Sequence, residues 1–233
     1  RSTLFPYTTL FRSEPFRLAF YNLTDMERTA EALKYADALF NASDSSKFTG
    51  FDYTYYGTAL KNDKQYDKAI EMFNKAMEEN KGNEELVNSN RKALSDLFLA
   101  KEDFDKATAY YEEYLKHAPK TTASDMAGLA TIYMNLAAKQ TGDQQKASFK
   151  KADDVYARLG EKFPANIDFA NFMRARINSN LDPETKEGLA KPFYEAIVNS
   201  LASKTDRDKA DNARLTEAYR TVQIGRASCR ERV

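Results

Sequence analysis

Residues 53–79 read YTYYGTALKNDKQYDKAIEMFNKAMEE, and this stretch decides the fold. In its second half the apolar or small residues Tyr66, Ala69, Ile70, Phe73, Ala76 and Met77 recur three and four apart, the period that lines one face of an α-helix. The intervening positions hold Lys, Glu, Asp and Asn, so the helix is amphipathic. Upstream, Tyr53, Tyr56, Gly57 and Leu60 mark a partner helix, and the polar run Lys61 to Gln65 is the turn between the two. Two helices joined so tightly must run antiparallel.

The pattern repeats along the chain. Phe104, Ala107, Tyr110, Tyr111, Tyr114 and Leu115 form a second such face, and Ala152, Val155, Tyr156, Leu159 and Phe163 a third. Each second helix carries Ala, an aromatic residue four later and a further small or apolar residue three after that. The sets are Ala69, Phe73, Ala76; Ala107, Tyr111, Tyr114; Ala152, Tyr156, Leu159; and Ala190, Tyr194, Ile197. A weaker set upstream is Ala32, Ala36, Leu39. Two units close on a proline twelve residues after the alanine, Pro119 and Pro164. First helices precede these, one of them marked by Met126, Leu129, Ala130 and Tyr133. From Glu14 onward no stretch shows the strict alternation of a strand. The interval from Ala107 to Ala152 is longer than the others, and Met134 to Lys151 carry the excess. One extra turn on each of two antiparallel helices, broken near Gly142 and Asp143, accommodates it, so this pair should project at its turn. Asp182-Pro183-Glu184 reads as a helix start. Pro192 should kink the helix that follows or mark its true beginning. Asp211 to Val222 reads as an opening helix whose apolar residues Leu215, Ala218, Tyr219 and Val222 lack a covering neighbour.

At this point the chain resembles the tetratricopeptide repeat (TPR) family, whose pattern is W-x2-L-G-x2-Y, then A-x3-F-x2-A, then P. Tyr53-x2-Tyr56-Gly57-x2-Leu60 and Ala69-x3-Phe73-x2-Ala76 match it, with Lys81 in place of the final proline. The next unit departs from it, with Ser95 where Gly57 stands and Arg91 in place of the large aromatic. The resemblance runs from about residue 25 to 222. It implies an all-α, right-handed α-solenoid of antiparallel helix pairs, in which small residues admit the partner helix and the aromatics fill the gap. The stretch LDPETKEGLAKPFYEAI also resembles a segment of TPR proteins of bacterial cell envelopes, which points to the periplasm or outer membrane.

Both ends have another origin. Residues 1–13, RSTLFPYTTLFRS, translate a common short-read sequencing adapter, and IGRASCRERV at 224–233 translates its reverse complement in a shifted frame. Gln223 obeys the codon constraint that the adapter imposes. The expected organisation is therefore an adapter-derived artefact at 1–13, a repeat domain at 14–222 truncated at both ends, and a second artefact at 223–233. Both artefacts should pack poorly or sit exposed.

The whole chain has 233 residues, with 35 Lys+Arg against 35 Asp+Glu. Without the five arginines and one glutamate of the two ends, the remainder has a net charge of −4. The only cysteine, Cys229, goes with them, and thiolate chemistry goes with it. Balanced charge gives no basic footprint for nucleic acid. No apolar run approaches a membrane span.

Catalytic chemistry is not legible. With His117 the single histidine, a triad or a multi-His metal site cannot form within one chain. His117 reads as a solvated residue at a helix C-terminus, where its charge suits the dipole. The carboxylate pairs Glu78-Glu79, Glu84-Glu85, Glu112-Glu113 and Asp153-Asp154 read as solvated helix faces. No phosphate loop or calcium loop occurs. The chain is thus expected to be no enzyme, with no cofactor and no metal.

The resemblance implies binding of a peptide or partner helix in the concave groove of first helices. Groove positions carried over are Phe51, Thr54, Thr58, Lys61 and Asn62; then Lys92, Asp96 and Leu99; then Ala127, Thr131, Met134 and Asn135. Tyr55 and Tyr110 lie off the packing positions and are further candidates for partner contact. One TPR subgroup clamps a C-terminal carboxylate with Lys and Asn; Thr54 and Thr58 stand at the key pair here, so that clamp is not expected. The expected function is a non-catalytic protein-interaction scaffold. The rival readings are a structural arm of a larger envelope assembly, an envelope lipoprotein capturing a glycan or small ligand on an aromatic platform at Tyr55, and an enzyme whose catalytic domain lies outside this fragment.

Overall fold

The computed structural model describes residues 7–42 and 48–230, with side chains over 15–41 and 48–222. The described residues are helices and turns, without a strand. They divide into two compact units, Arg1–Pro119 and Lys120–Val233. The first unit holds α1 (Tyr7–Asp25), α2 (Thr29–Ala42), α3 (Gly50–Asn62), α4 (Tyr66–Glu79), α5 (Glu84–Ala100) and α6 (Phe104–His117). The second holds α7 (Ala123–Lys139), α8 (Gly142–Lys162), a 3-10 turn (Pro164–Asn166), α9 (Ile167–Leu181), α10 (Lys191–Leu201) and α11 (Lys209–Arg230). Helices pair as α1/α2, α3/α4 and α5/α6 in one unit; in the other, α7 packs on α8, α8 on α9, α9 on α10 and α10 on α11. Helices α1 and α11 run across residues 13 and 223, and the side chains of the two end segments lie outside the described residues.

Local chemistry sets the helix ends. Thr49 and Asp52 form a reciprocal capping box at the start of α3, as Thr122 and Asp125 do for α7. Asn83 and Asp103 cap α5 and α6 by accepting from Leu86 N–H and Lys106 N–H. The turns inside the first three pairs are the same motif three times. Glu27, Lys64 and Glu102 have φ of 56°, 61° and 57°. Each precedes its repeat alanine (Ala32, Ala69, Ala107) by the same stretch of sequence. The next residue donates its N–H back to Leu23, Leu60 or Phe98, at 2.9 Å in every case. This is the Schellman closure, built here without glycine.

The repeat alanines Ala32, Ala69, Ala107 and Ala152 are all fully buried. A β-carbon on Gly57 would lie 3.0 Å from the Phe73 ring, which is why that position is glycine. At the matching place in α5, Ser95 fits because its Oγ donates to the Ala107 carbonyl at 2.7 Å. In α1/α2 the sizes are exchanged: Phe20 stands in register with Gly57 and Ala36 with Phe73, and both are fully buried.

The α7/α8 pair is extended at its turn as expected, and most of the extension is in α8. That helix has 21 residues against 14 in α4 and α6. Pro192 lies in the first turn of α10, so it marks that helix's beginning and no kink results. Asp182-Pro183-Glu184 does not begin a helix. Asp182 ends α9, and its carboxylate accepts N–H bonds from Lys186, Glu187 and Gly188 at 2.9, 3.0 and 2.7 Å, so it organises the α9–α10 loop. In α11, Leu215 and Ala218 are buried with Tyr194, Ile197 and Leu201 of α10, so that face is covered; Tyr219 is exposed.

Candidate functional site

The first helices of unit 1 carry nine of the expected groove residues, and α3 and α5 bring several together. Lys61 of α3 and Lys92 and Asp96 of α5 share one electrostatic neighbourhood. Crowding pushes the Asp96 carboxyl above the ordinary range although its surface stays open to water; the two ammonium groups act in the opposite sense. Lys92 also sits 5.0 Å over the Tyr114 ring. Asn62 is exposed, Leu99 half-buried, and Phe51 48% exposed, an unusual state for phenylalanine.

Thr54 and Thr58 are bound within the scaffold. Thr54 Oγ1 lies 2.9 Å from the Gly50 carbonyl and 3.1 Å from Asn90 Oδ1, tying α3 to α5. Thr58 Oγ1 donates to the Thr54 carbonyl. Tyr55 is half-buried and stacks on Tyr21 with centroids 4.1 Å apart, and its hydroxyl donates to Asp25 at 3.3 Å. One ring face is therefore taken by Tyr21, and Phe20 meets the ring edge-on at 6.3 Å. In unit 2, Thr131 and Asn135 are exposed and Met134 is half-buried on α7. Thr131 Oγ1 donates to the carbonyl of Ala127, which is half-buried on the same helix.

Several polar constellations escape sequence reasoning because they join distant helices. Asp52 is fully buried and accepts from Arg17 Nε at 2.7 Å and Tyr21 Oη at 2.8 Å besides its cap. Burial first, then Asp52, drives the Tyr21 phenol far above its ordinary pKa. Asp153, expected on a solvated face, is held by both Nε and Nη2 of Arg174 at 3.0 and 2.9 Å and by Asn178. Glu84 is likewise engaged: Arg91 Nη1 donates to it, and His117 Nδ1 lies 3.0 Å away. The Arg91 bond holds the Glu84 carboxyl below the usual range. His117 does end α6, but it stands between Glu84 and Glu113 and is not simply solvated. The signal available was Arg91 itself, a cation at the pattern's aromatic position. Among the described residues no group of three His, Cys, Asp or Glu could hold a metal ion, and no helix is long and apolar enough to cross a membrane.

No protein-family profile matches the chain, and no curated protein matches it. Solved structures do. The C-terminal part of a TPR repeat-containing protein from Cytophaga hutchinsonii is 24% identical, with a TM-score of 0.62 over 82% of this chain and 67% of that one. MamA from AMB-1 is 15% identical, with a TM-score of 0.60 over 84% of this chain and 94% of that one. A Podospora anserina kinesin light chain with nearly identical TPR-like repeats is 12% identical, with a TM-score of 0.55 over 86% of this chain and all of that one. The chain shares their fold, an all-α helical repeat of antiparallel pairs of the TPR kind.

Proposed function

We propose that this chain is a non-catalytic protein-interaction scaffold that holds an extended peptide or partner helix against the first helices α3 and α5. The observation that carries the reading is the convergence of Lys61, Lys92 and Asp96 from two helices, flanked by half-buried Leu99. A solvated face of mixed charge and apolar surface, on elements locked by the Thr54–Asn90 bond, is pre-organised for a segment that itself lacks rigid structure. Phe51 and Asn62 extend the surface on α3, and Thr131, Met134 and Asn135 are the corresponding positions on α7. Repeats of this fold leave such a face to partners once neighbouring pairs have buried their core.

Selection from a displayed random-peptide library, followed by titration of a winning peptide, tests the proposal. Reversal of both cations, Lys61→Glu with Lys92→Glu, should weaken that peptide by about tenfold or more with helicity unchanged. Failure to select any peptide, or indifference of every selected peptide to the double reversal, would sink it.

The origin of the ends belongs to the same proposal: residues 14–222 are the natural repeat domain, and the flanks translate adapter DNA. A periplasmic or outer-membrane-associated location is proposed on the resemblance of residues 181–197 to envelope TPR proteins. The complete open reading frame from the source genome tests both. Natural codons continuing in place of the flanks, and a leading export signal, are the expected result.

A further inference from the structure

A cavity of about 420 Å³ opens between α4, α5 and α6, away from the residues proposed for peptide binding. Its apolar lining is Met77, Val87 and Tyr110. The Tyr110 ring is backed by Phe98, stacked at 5.5 Å and 10°. The charged lining is Glu78, Lys81, Glu113 and Arg91. Three of these four are matched at the surface: Glu78 with Lys81, and Glu113 with Lys116 at 3.3 Å. Arg91 is only partly matched. Its Nη1 donates to Glu84 and, at 3.3 Å, to Asn88, while Nε and Nη2 have no acceptor among the described residues. The Arg91 side chain is 19% exposed overall, and none of its nitrogens is among the buried unpaired atoms of the described residues, so the free edge stays open to solvent.

The Nε/Nη2 edge of a guanidinium is a planar two-donor fork, and its geometric complement is a carboxylate. The neighbouring Met77, Val87 and Tyr110 offer burial to hydrocarbon. We propose that this cavity binds a carboxylate attached to an apolar group, the carboxylate on the free edge of Arg91 and the apolar group against Met77, Val87 and Tyr110. The same chemistry is presented by a peptide C-terminus with an apolar last residue and by a free small carboxylic acid.

The test is titration of the whole chain with N-acetylleucinate, which stands for the peptide terminus, with 4-phenylbutyrate for the free acid, and with N-acetylleucinamide as the uncharged control. At least one acid should bind about tenfold or more tightly than the amide, and the tighter acid identifies the source. Arg91→Gln should reduce the preference for acid over amide to near unity. Lys81→Glu, at an exposed position that cannot disturb the core, should weaken the acids several-fold and leave the amide unchanged. Equal binding of acid and amide, no binding of either acid, or a preference that survives Arg91→Gln would each overturn the proposal. Should Arg91→Gln fail to fold, acid affinity indifferent to Lys81→Glu overturns it alone.

Discussion

The ring of Phe73 lies so close to Gly57 that a β-carbon there would sit 3.0 Å from Cδ1 and Cε1. Two opposing effects meet at this position. Alanine in place of glycine inside a helix stabilises by about 1 kcal/mol. Forcing a methyl group into a closed contact costs about 1–3 kcal/mol. With fully buried Phe73 unable to swing into solvent, the second effect should win, and Gly57→Ala should lower stability in urea denaturation. In a Phe73→Leu background the ring atoms are gone and the sign should reverse. Stabilisation by Gly57→Ala in both backgrounds would remove this contact from the account of the fold.

Ala107 tests the same packing from the other helix. It is fully buried and lies under Ser95, whose hydroxyl is bonded to its carbonyl. Ala107→Leu should destabilise by about 1–3 kcal/mol through overpacking. Ser95→Ala should cost about 0.5–1.5 kcal/mol for the lost hydrogen bond. An unchanged melting temperature for Ala107→Leu would take Ala107 out of the core.

These contacts show why most of the fold is legible in one sequence. A repeat is visible when the same size falls at the same place, as at Ala69, Ala107 and Ala152. The α1/α2 pair is faint for a physical reason: Phe20 and Ala36 fill the same volume as Gly57 and Phe73 with large and small exchanged, so packing is kept and the pattern is lost. The three turns at Glu27, Lys64 and Glu102 are hidden in another way. Their left-handed backbone favours glycine, and no glycine stands there.

Those turns make a prediction of opposite sign to the first. Lys64 is exposed with φ of 61°. The left-handed setting costs a non-glycine residue about 1–2 kcal/mol, and glycine's extra chain entropy returns about 0.5–1 kcal/mol of that. Lys64→Gly should therefore raise stability by up to about 1.5 kcal/mol, read as a higher urea midpoint with an unchanged slope.

The Asp182 loop shows what a sequence motif cannot decide. Asp-Pro-Glu has the chemistry of a helix start, but the carboxylate is claimed by the backbone N–H groups of the following loop. Loss of water raises the Asp182 carboxyl, and the bonds from Gly188, Lys186, Glu187 and Leu189 outweigh this, so it titrates below the usual aspartate range. A depressed native pKa means stabilisation that is present above the unfolded value of about 3.9 and lost as pH falls through the native one. The amide resonance of Gly188 should report this titration, and Asp182→Asn should abolish it. A midpoint at or above the ordinary value would contradict the loop's assigned role.

The candidate site is less legible than the fold because its defining contacts cross helices. Helical phase places Thr54, Lys61, Lys92 and Asp96 on first helices, but it cannot tell that Thr54 is tied to Asn90 while Lys61, Lys92 and Asp96 gather together. Tyr55 illustrates the same gap. Its position off the packing pattern suggests a free ring, yet α1 supplies Tyr21 to stack on it and Asp25 to bond its hydroxyl.

Tyr56, the neighbour of that ring, titrates at the other end of the pH scale. Its hydroxyl donates to Asp37 Oδ1 at 2.8 Å, and its ring stands edge-on to Phe20 at 6.3 Å. Burial first, and then the Asp37 carboxylate, pushes its phenol up to about 12. Ionisation would set a phenolate against a carboxylate, so the native state holds the proton more tightly than the unfolded chain does. For a raised native pKa the stabilisation is complete below the unfolded value of about 10 and is lost as pH rises through the native one. Stability should therefore fall between about pH 10 and about pH 12. Tyr56→Phe removes the ionisable group, so the alkaline decline should become shallower while stability at neutral pH drops by about the worth of one hydrogen bond, 0.5–1.5 kcal/mol. Tyr21, raised by burial first and then by Asp52 in the same cluster, should preserve part of the decline in that variant. An alkaline profile identical in the two proteins would show that the Tyr56–Asp37 contact does not couple ionisation to folding.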